Sequence, residues 1–179
     1  MIPDVRLPAL RFAKVAAPFL VLAVALGACF GPAVSPKSPL YANLAEVAGD
    51  LDENAALGMI NAYRSNNGLG SVALDDRLNA LAQGYGRDLA TAAGKGAPIK
   101  PDGKLEARLA TAGYQSSEVK ESVSAGYYTL AEAFSGWRDS EPHRDTMLFP
   151  PARHLGIAAV YFPGTKYKVY WVLIMAKPA

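Results

Sequence analysis

Hydrophobic positions along the chain switch between two periods, and the switches mark its elements. Leu57, Ile60 and Tyr63 recur at helical spacing after Asp50-Leu51-Asp52-Glu53, where Glu53 stands three residues beyond Asp50 as in a capping box. That pattern stops at Asn66-Asn67-Gly68. A second helix is predicted to open at Asp75-Asp76, to carry Leu78, Leu81, Ala82, Tyr85 and Leu89 on one stripe, and to end near Gly94. Residues 94–103 read as a loop by their glycines and prolines, and 104–112 as a short helix with Leu105 and Leu109 inward. Over 119–125 the period falls to two. Val119, Glu121, Val123 and Ala125 share one face, and Lys120, Ser122 and Ser124 share the other. Thr129 and Glu132 repeat the capping pattern ahead of a helical stripe of Leu130, Ala133, Phe134 and Trp137. Residues 138–153 are turn-rich, with a short helix beginning at Pro142. Two strands, 155–162 and 167–175, are joined by Pro163-Gly164-Thr165-Lys166 as a hairpin. Helices first and a strand hairpin last predict an α+β domain.

The amino-terminal stretch follows a different logic. Arg6, Arg11 and Lys14 precede Val15–Leu26, an uncharged apolar run of twelve residues. A spanning helix needs about 20 apolar residues, so the run is too short to cross a bilayer. A basic stretch followed by a short apolar core is the form of a secretory signal. Leu26-Gly27-Ala28-Cys29 then resembles a bacterial lipobox, in which small residues admit a peptidase and the thiol receives a diacylglyceryl group. A plain signal peptide with an unmodified Cys29 is the alternative. Residues 1–28 are thus expected as signal peptide, 29–49 as a lipidated cysteine with a Pro-rich tether, and 50–179 as the folded domain. Phe30, standing where an aspartate favours inner-membrane retention, points to the outer membrane.

Composition sharpens this reading. The chain has 179 residues, 51% hydrophobic and 19% charged, which excludes a disordered polymer and suits one domain. One cysteine excludes an internal disulfide framework and a multi-cysteine zinc site. The net charge of +2 belongs to the leader: removing residues 1–28 takes three of 18 cations and one of 16 acids, leaving 15 of each. Lys95, Lys100 and Lys104 form the largest basic cluster and are diluted by Asp102 and Glu106. A nucleic-acid surface needs more than that.

No P-loop, GxGxxG, GxSxG or HExxH motif is present, and the only histidines are His143 and His154. Two features stand out: Glu121, a carboxylate on an apolar strand face, and the block Trp137-Arg138-Asp139-Ser140-Glu141-Pro142-His143-Arg144. Structural explanations are open for each. Glu121 fits a partner for a cation, His143 a helix cap, Trp137 with Phe134 core packing, and Arg144 and Arg153 surface pairs. Tyr127, Tyr128, Tyr161, Tyr167 and Tyr170 fit either strand packing or the lining of an apolar groove.

Taken in order, Ile60-Asn61-Ala62-Tyr63-Arg64, Leu74-Asp75-Asp76-Arg77-Leu78, 108–114, 121–126, Trp137-x-x-Ser140-x-x-His143-Arg144 and Leu155-Gly156-Ile157-Ala158 resemble the SCP/CAP superfamily in its bacterial, disulfide-free branch. The resemblance spans 55–178. It implies an α-β-α sandwich with the C-terminal hairpin, and a cleft lined by two histidines and two acids. Carried over by position, Glu121 matches the cleft glutamate, within Lys120-Glu121-Ser122 rather than Gly-Glu-Asn. His143 matches the second histidine, and Ser140 occupies the second acidic position. The first histidine should lie near Gly96–Lys100, where there is none. Glu121 and His143 alone do not make a zinc site, which wants three or four ligands, and nothing in the spacing requires His154 or Glu141 to complete one. No cofactor is therefore expected.

Three functions follow from the resemblance. The first is an envelope-anchored, non-catalytic module holding an apolar, lipid-like or cell-wall ligand in a cleft of Glu121, His143, Ser140 and Tyr127. The second is a hydrolase using Glu121 as base and His143 as acid. The third is a structural or interaction lipoprotein. The expected partner is a membrane, through acylated Cys29.

Overall fold

The structure is a computed structural model that describes residues 38–179. The leader, the lipobox with Cys29 and the first part of the tether lie outside the described residues. Helix α1 (Glu53–Asn66) starts at Asp52, whose carboxylate accepts the Ala55 amide at 2.8 Å. The capping residue is therefore Asp52 and not Asp50, and Glu53 instead accepts from Asn79 Nδ2 at 2.5 Å. A two-residue strand β1 (Ala73–Leu74) leads to α2 (Asp76–Gly94), capped by Asp75 through the amides of Arg77 and Leu78. Helix α3 (Leu105–Thr111), strand β2 (Ser116–Ala125) and helix α4 (Leu130–Asp139) follow, the last with the full Thr129–Glu132 capping box. A short helix α5 (Glu141–Met147), strand β3 (His154–Tyr161) and strand β4 (Val169–Pro178) complete the chain. The β3–β4 connection runs to Lys168, which takes φ 60° and so delays the second strand past its expected start at Tyr167.

The sheet order is β1-β3-β4-β2, with β1 parallel to β3 and the other pairs antiparallel. Alternation along β3 and β4 feeds two cores. Leu155, Ile157, Ala159, Trp171, Leu173 and Met175 pack with α1, α4 and the residues before α1. Ala158, Val160, Tyr170, Val172 and Ile174 pack with α2 and α3. The result is the expected α-β-α sandwich, with β4 buried on both faces and apolar from Val169 to Ala176.

Residues 38–49, expected as free tether, lie on the domain. Pro39–Tyr41 form a short 3-10 turn, and Leu44, 2% exposed, enters the first core while its amide donates to Tyr128 O at 2.8 Å. Gly49 (φ 82°) lies against the Ala159–Tyr161 backbone, where a side chain would not fit. The strap is held by an apolar anchor, Leu44, that the proline-rich stretch just before it conceals.

Candidate functional site

Period-two alternation decides the site, because it sends adjacent β2 residues to opposite faces of the sheet. Glu121 turns towards α2 and α3, where its side chain is 5% exposed. Arg108, on the inner side of α3, meets it with Nη2 at 2.8 and 2.7 Å from the two carboxylate oxygens. The same guanidinium binds Asp102 through Nη1 at 2.6 Å and lies 3.7 Å from the centre of the Tyr85 ring. Tyr85 Oη in turn accepts the Asp102 amide at 2.9 Å. Burial pushes the Glu121 carboxyl above its ordinary range, against the pull of Arg108. Burial also works against the charge of Arg108, but two carboxylates outweigh it and raise that group. Both groups are raised, which disfavours the charge on Glu121 and favours that on Arg108, because Arg108 serves two acids and Glu121 has one base.

His143 lies on the other face. It projects from α5 to β2, its Nδ1 in contact with Ser122 Oγ, and burial holds it below its ordinary value, so it is neutral near pH 7. Beside it, Trp137 Nε1 donates to the buried Ser124 Oγ at 2.9 Å and its ring meets Trp171 edge-on at 5.5 Å. Ser140 joins α4 to α5, with no side-chain cap bond. Tyr127 packs against Gly136 of α4, and its carbonyl accepts Trp171 Nε1 at 3.0 Å. The expected cleft of Glu121, His143, Ser140 and Tyr127 is therefore not formed. Three of these residues lie by α4 and α5, and Glu121 lies across the sheet with Arg108. His143 does not cap a helix either, since its ring is turned to Ser122.

An open space borders the Tyr85 and Asp102 end of this network, between α2 and the 96–102 loop. This pocket of about 290 Å³ is walled by Tyr85, Leu89, Ala92, Ala97, Pro98 and Pro101, with Asp88, Lys100 and Asp102 also bordering it. It is formed by the loop in which the family histidine is missing. In the sequence Tyr85 stood only as a core position, Asp102 as a loop charge and Arg108 within the 108–114 motif, none of them as a neighbour of Glu121; the usable signal was Arg108 three residues after the inward Leu105 of an amphipathic turn.

His154, at the start of β3, bonds Tyr114 Oη through Nδ1 at 2.8 Å, with Asp75 Oδ2 at 3.6 Å. Glu141 is exposed at the start of α5. Neither joins His143 or Glu121, and among the described residues no three His, Cys, Asp or Glu side chains are grouped to hold a metal. Several motif residues are scaffolding. Asn61 bonds both backbone groups of Val72 at 2.9 Å. Arg64, fully buried, reaches the carbonyls of Met147 and Phe149 at 2.9 and 3.0 Å. At Gly156 an added methyl would overlap the Leu78 backbone.

The model of the cysteine-rich secretory protein family, CAP, matches residues 57–175. The chain belongs to the CAP family. Among solved structures, the CAP domain is similar to an outer surface protein of Borrelia burgdorferi, at 17% identity and TM-score 0.60, over 72% of this chain and 93% of that one. An extracellular SCP-domain protein of Bacillus anthracis matches at 20% identity and TM-score 0.58, over 69% of this chain. A cysteine-rich secretory protein of Staphylococcus aureus matches at 17% and TM-score 0.54, also over 69% of this chain. The chain spans only 39% and 38% of those last two proteins. Among curated proteins none matches. No helix of the CAP domain, among the described residues, is long and apolar enough to cross a membrane.

Proposed function

We propose that this CAP domain is a non-catalytic binding module of the bacterial cell envelope, lipid-modified at Cys29 after removal of residues 1–28. It holds a small apolar or lipid-like ligand in the pocket over Tyr85. The observation that carries the reading is the pocket itself: an apolar floor of Tyr85, Leu89 and Ala92 beneath a proline-rich loop, with few polar groups at its border. Ligand sites are mostly apolar with a small number of placed polar groups, and about 290 Å³ suits a small ligand or the end of a larger one. An extracellular protein and an outer surface protein among the structural neighbours agree with an envelope setting. Phe30 after Cys29 favours the periplasmic side of the outer membrane.

The hydrolase reading finds no support in the geometry. A general base must reach water and its acid partner, whereas Glu121 is sealed by Arg108 and separated from His143 by the sheet. The binding test uses Ala92→Trp, which fills the pocket from the exposed side of α2. Fluorescence enhancement of N-phenyl-1-naphthylamine, an apolar probe, should occur with the parent domain and be lost in the variant at unchanged Tm. Equal enhancement in both would overturn the pocket assignment. For the anchor, Cys29→Ser should abolish lipid labelling and membrane fractionation.

A further inference from the structure

Among the described residues two large apolar side chains stand exposed, Tyr41 at 61% and Val47 at 42%. Both lie on the strap that precedes α1, and neither exposure is that of a free loop. The Tyr41 amide donates to Ser38 O at 2.9 Å and the Val47 amide to Asn43 O at 3.2 Å. Between them Leu44 is pinned in the core and bonded to Tyr128. Asn43 closes the turn by accepting the Ala45 amide at 3.0 Å and donating to Glu46 at 3.0 Å. The two apolar groups are thus presented outward from a fixed base.

The chain length outside the domain says what they meet. Nine residues lead from Cys29 to Ser38, and a fully extended chain covers at most about 3.3–3.6 Å per residue, so the reach is about 30 Å. A lipid on Cys29 sits in the leaflet that faces the domain, and the strap is the first part of the domain that the leash delivers to it. Resting on the lipid-anchor reading, we propose that Tyr41 and Val47 seat in the headgroup layer of the membrane that carries Cys29, so that the anchor fixes the orientation of the domain as well as its place. Tyrosine is suited to that layer, with an apolar ring for the acyl boundary and a hydroxyl for the wet side. Glu46 and Asp50 flank the patch, so the matching surface is zwitterionic rather than strongly anionic.

The single cysteine allows a test that does not depend on cellular lipidation. The chain from Cys29 onward, which contains both cores, is coupled through Cys29 to vesicles of phosphatidylethanolamine and phosphatidylcholine bearing a maleimide lipid. Tyr41→Trp supplies the reporter; Trp137 and Trp171 are buried and give a constant background. On coupling, the added emission should shift to shorter wavelength, lose its quenching by acrylamide and gain quenching by lipids brominated near the headgroup. A second change, Val47→Glu, should reverse all three. Unchanged acrylamide quenching on coupled vesicles would overturn the proposal, as would shielding that appears without vesicles and grows with protein concentration, which would indicate a second copy on the patch. Lipid labelling of the full chain, compared with Cys29→Ser, is read separately. Loss of the anchor reading and loss of the membrane-facing patch are therefore different results.

Discussion

Glu121 shows how a single side chain can be read correctly and paired wrongly. Its place on an apolar face followed from alternation, and a buried carboxylate needs a partner. The partner assigned by resemblance was His143, yet the same alternation already placed residues 121 and 122 on opposite faces. Arg108 stands at helical spacing from the inward Leu105, but its pairing with Glu121 was not legible, because how a seven-residue helix sets against the sheet depends on packing and not on spacing. Removing one member of a buried pair typically costs about 3 kcal/mol or more. Arg108→Ala should therefore destabilise the domain by about that amount at neutral pH, measured by urea unfolding. The loss should shrink in acid. With Arg108 gone the Glu121 carboxyl rises further, and between its ordinary and raised values the native state holds a proton that the unfolded chain has released. Stability then falls as pH rises through that window, and Arg108→Ala combined with Glu121→Gln should remove the slope. His143 acts in the opposite sense. Its lowered value means that the unfolded chain is protonated first, so stability falls as pH drops below about 6.5, and His143→Gln should flatten that part of the profile.

At the scale of elements, periodicity located nearly every helix and strand, and caps placed their starts within a few residues. The α4 capping box was visible because both of its residues act locally. The start of α1 was bracketed by Asp50–Glu53, but the capping box read there does not form, since Glu53 is drawn away by Asn79 of α2, a contact 26 positions distant. Two glycines let α2 and β3 approach closely. Gly156 of β3 lies against the Leu78 backbone, and Gly86 of α2 against the Val160 side chain. A methyl group at Gly156 would have to displace helix backbone rather than a flexible side chain. Gly156→Ala should cost at least about 2 kcal/mol, in the upper part of the range for overpacked cores, and should lower Tm measurably. Gly84→Ala, on the same helix with open space around it, should not.

For the whole molecule, the domain begins earlier than the proline-rich composition of its leash implies. Leu44 fills the first core from outside the predicted boundary at residue 50. Leu44→Ala should therefore cost about 2–4 kcal/mol, as for other buried leucines, and calorimetry on the chain would read it. A free tether would show no change. The two cores lie on opposite faces of the sheet, and β2 divides its residues between those faces: Val119, Val123 and Ala125 enter the second core, while Ser122 and Ser124 meet His143 and Trp137 on the other side. That arrangement gives the strand an unequal tolerance to change. Substitutions at 119, 121 or 123 act on one side of the molecule and those at 120, 122 or 124 on the other, so the two sides can drift, or be engineered, separately. Loss or gain of one residue inside the strand exchanges them all at once, for example bringing Lys120 to the guanidinium of Arg108. The residue count of β2 is therefore expected to be under stronger selection than its composition, with insertions collecting in the loops at either end.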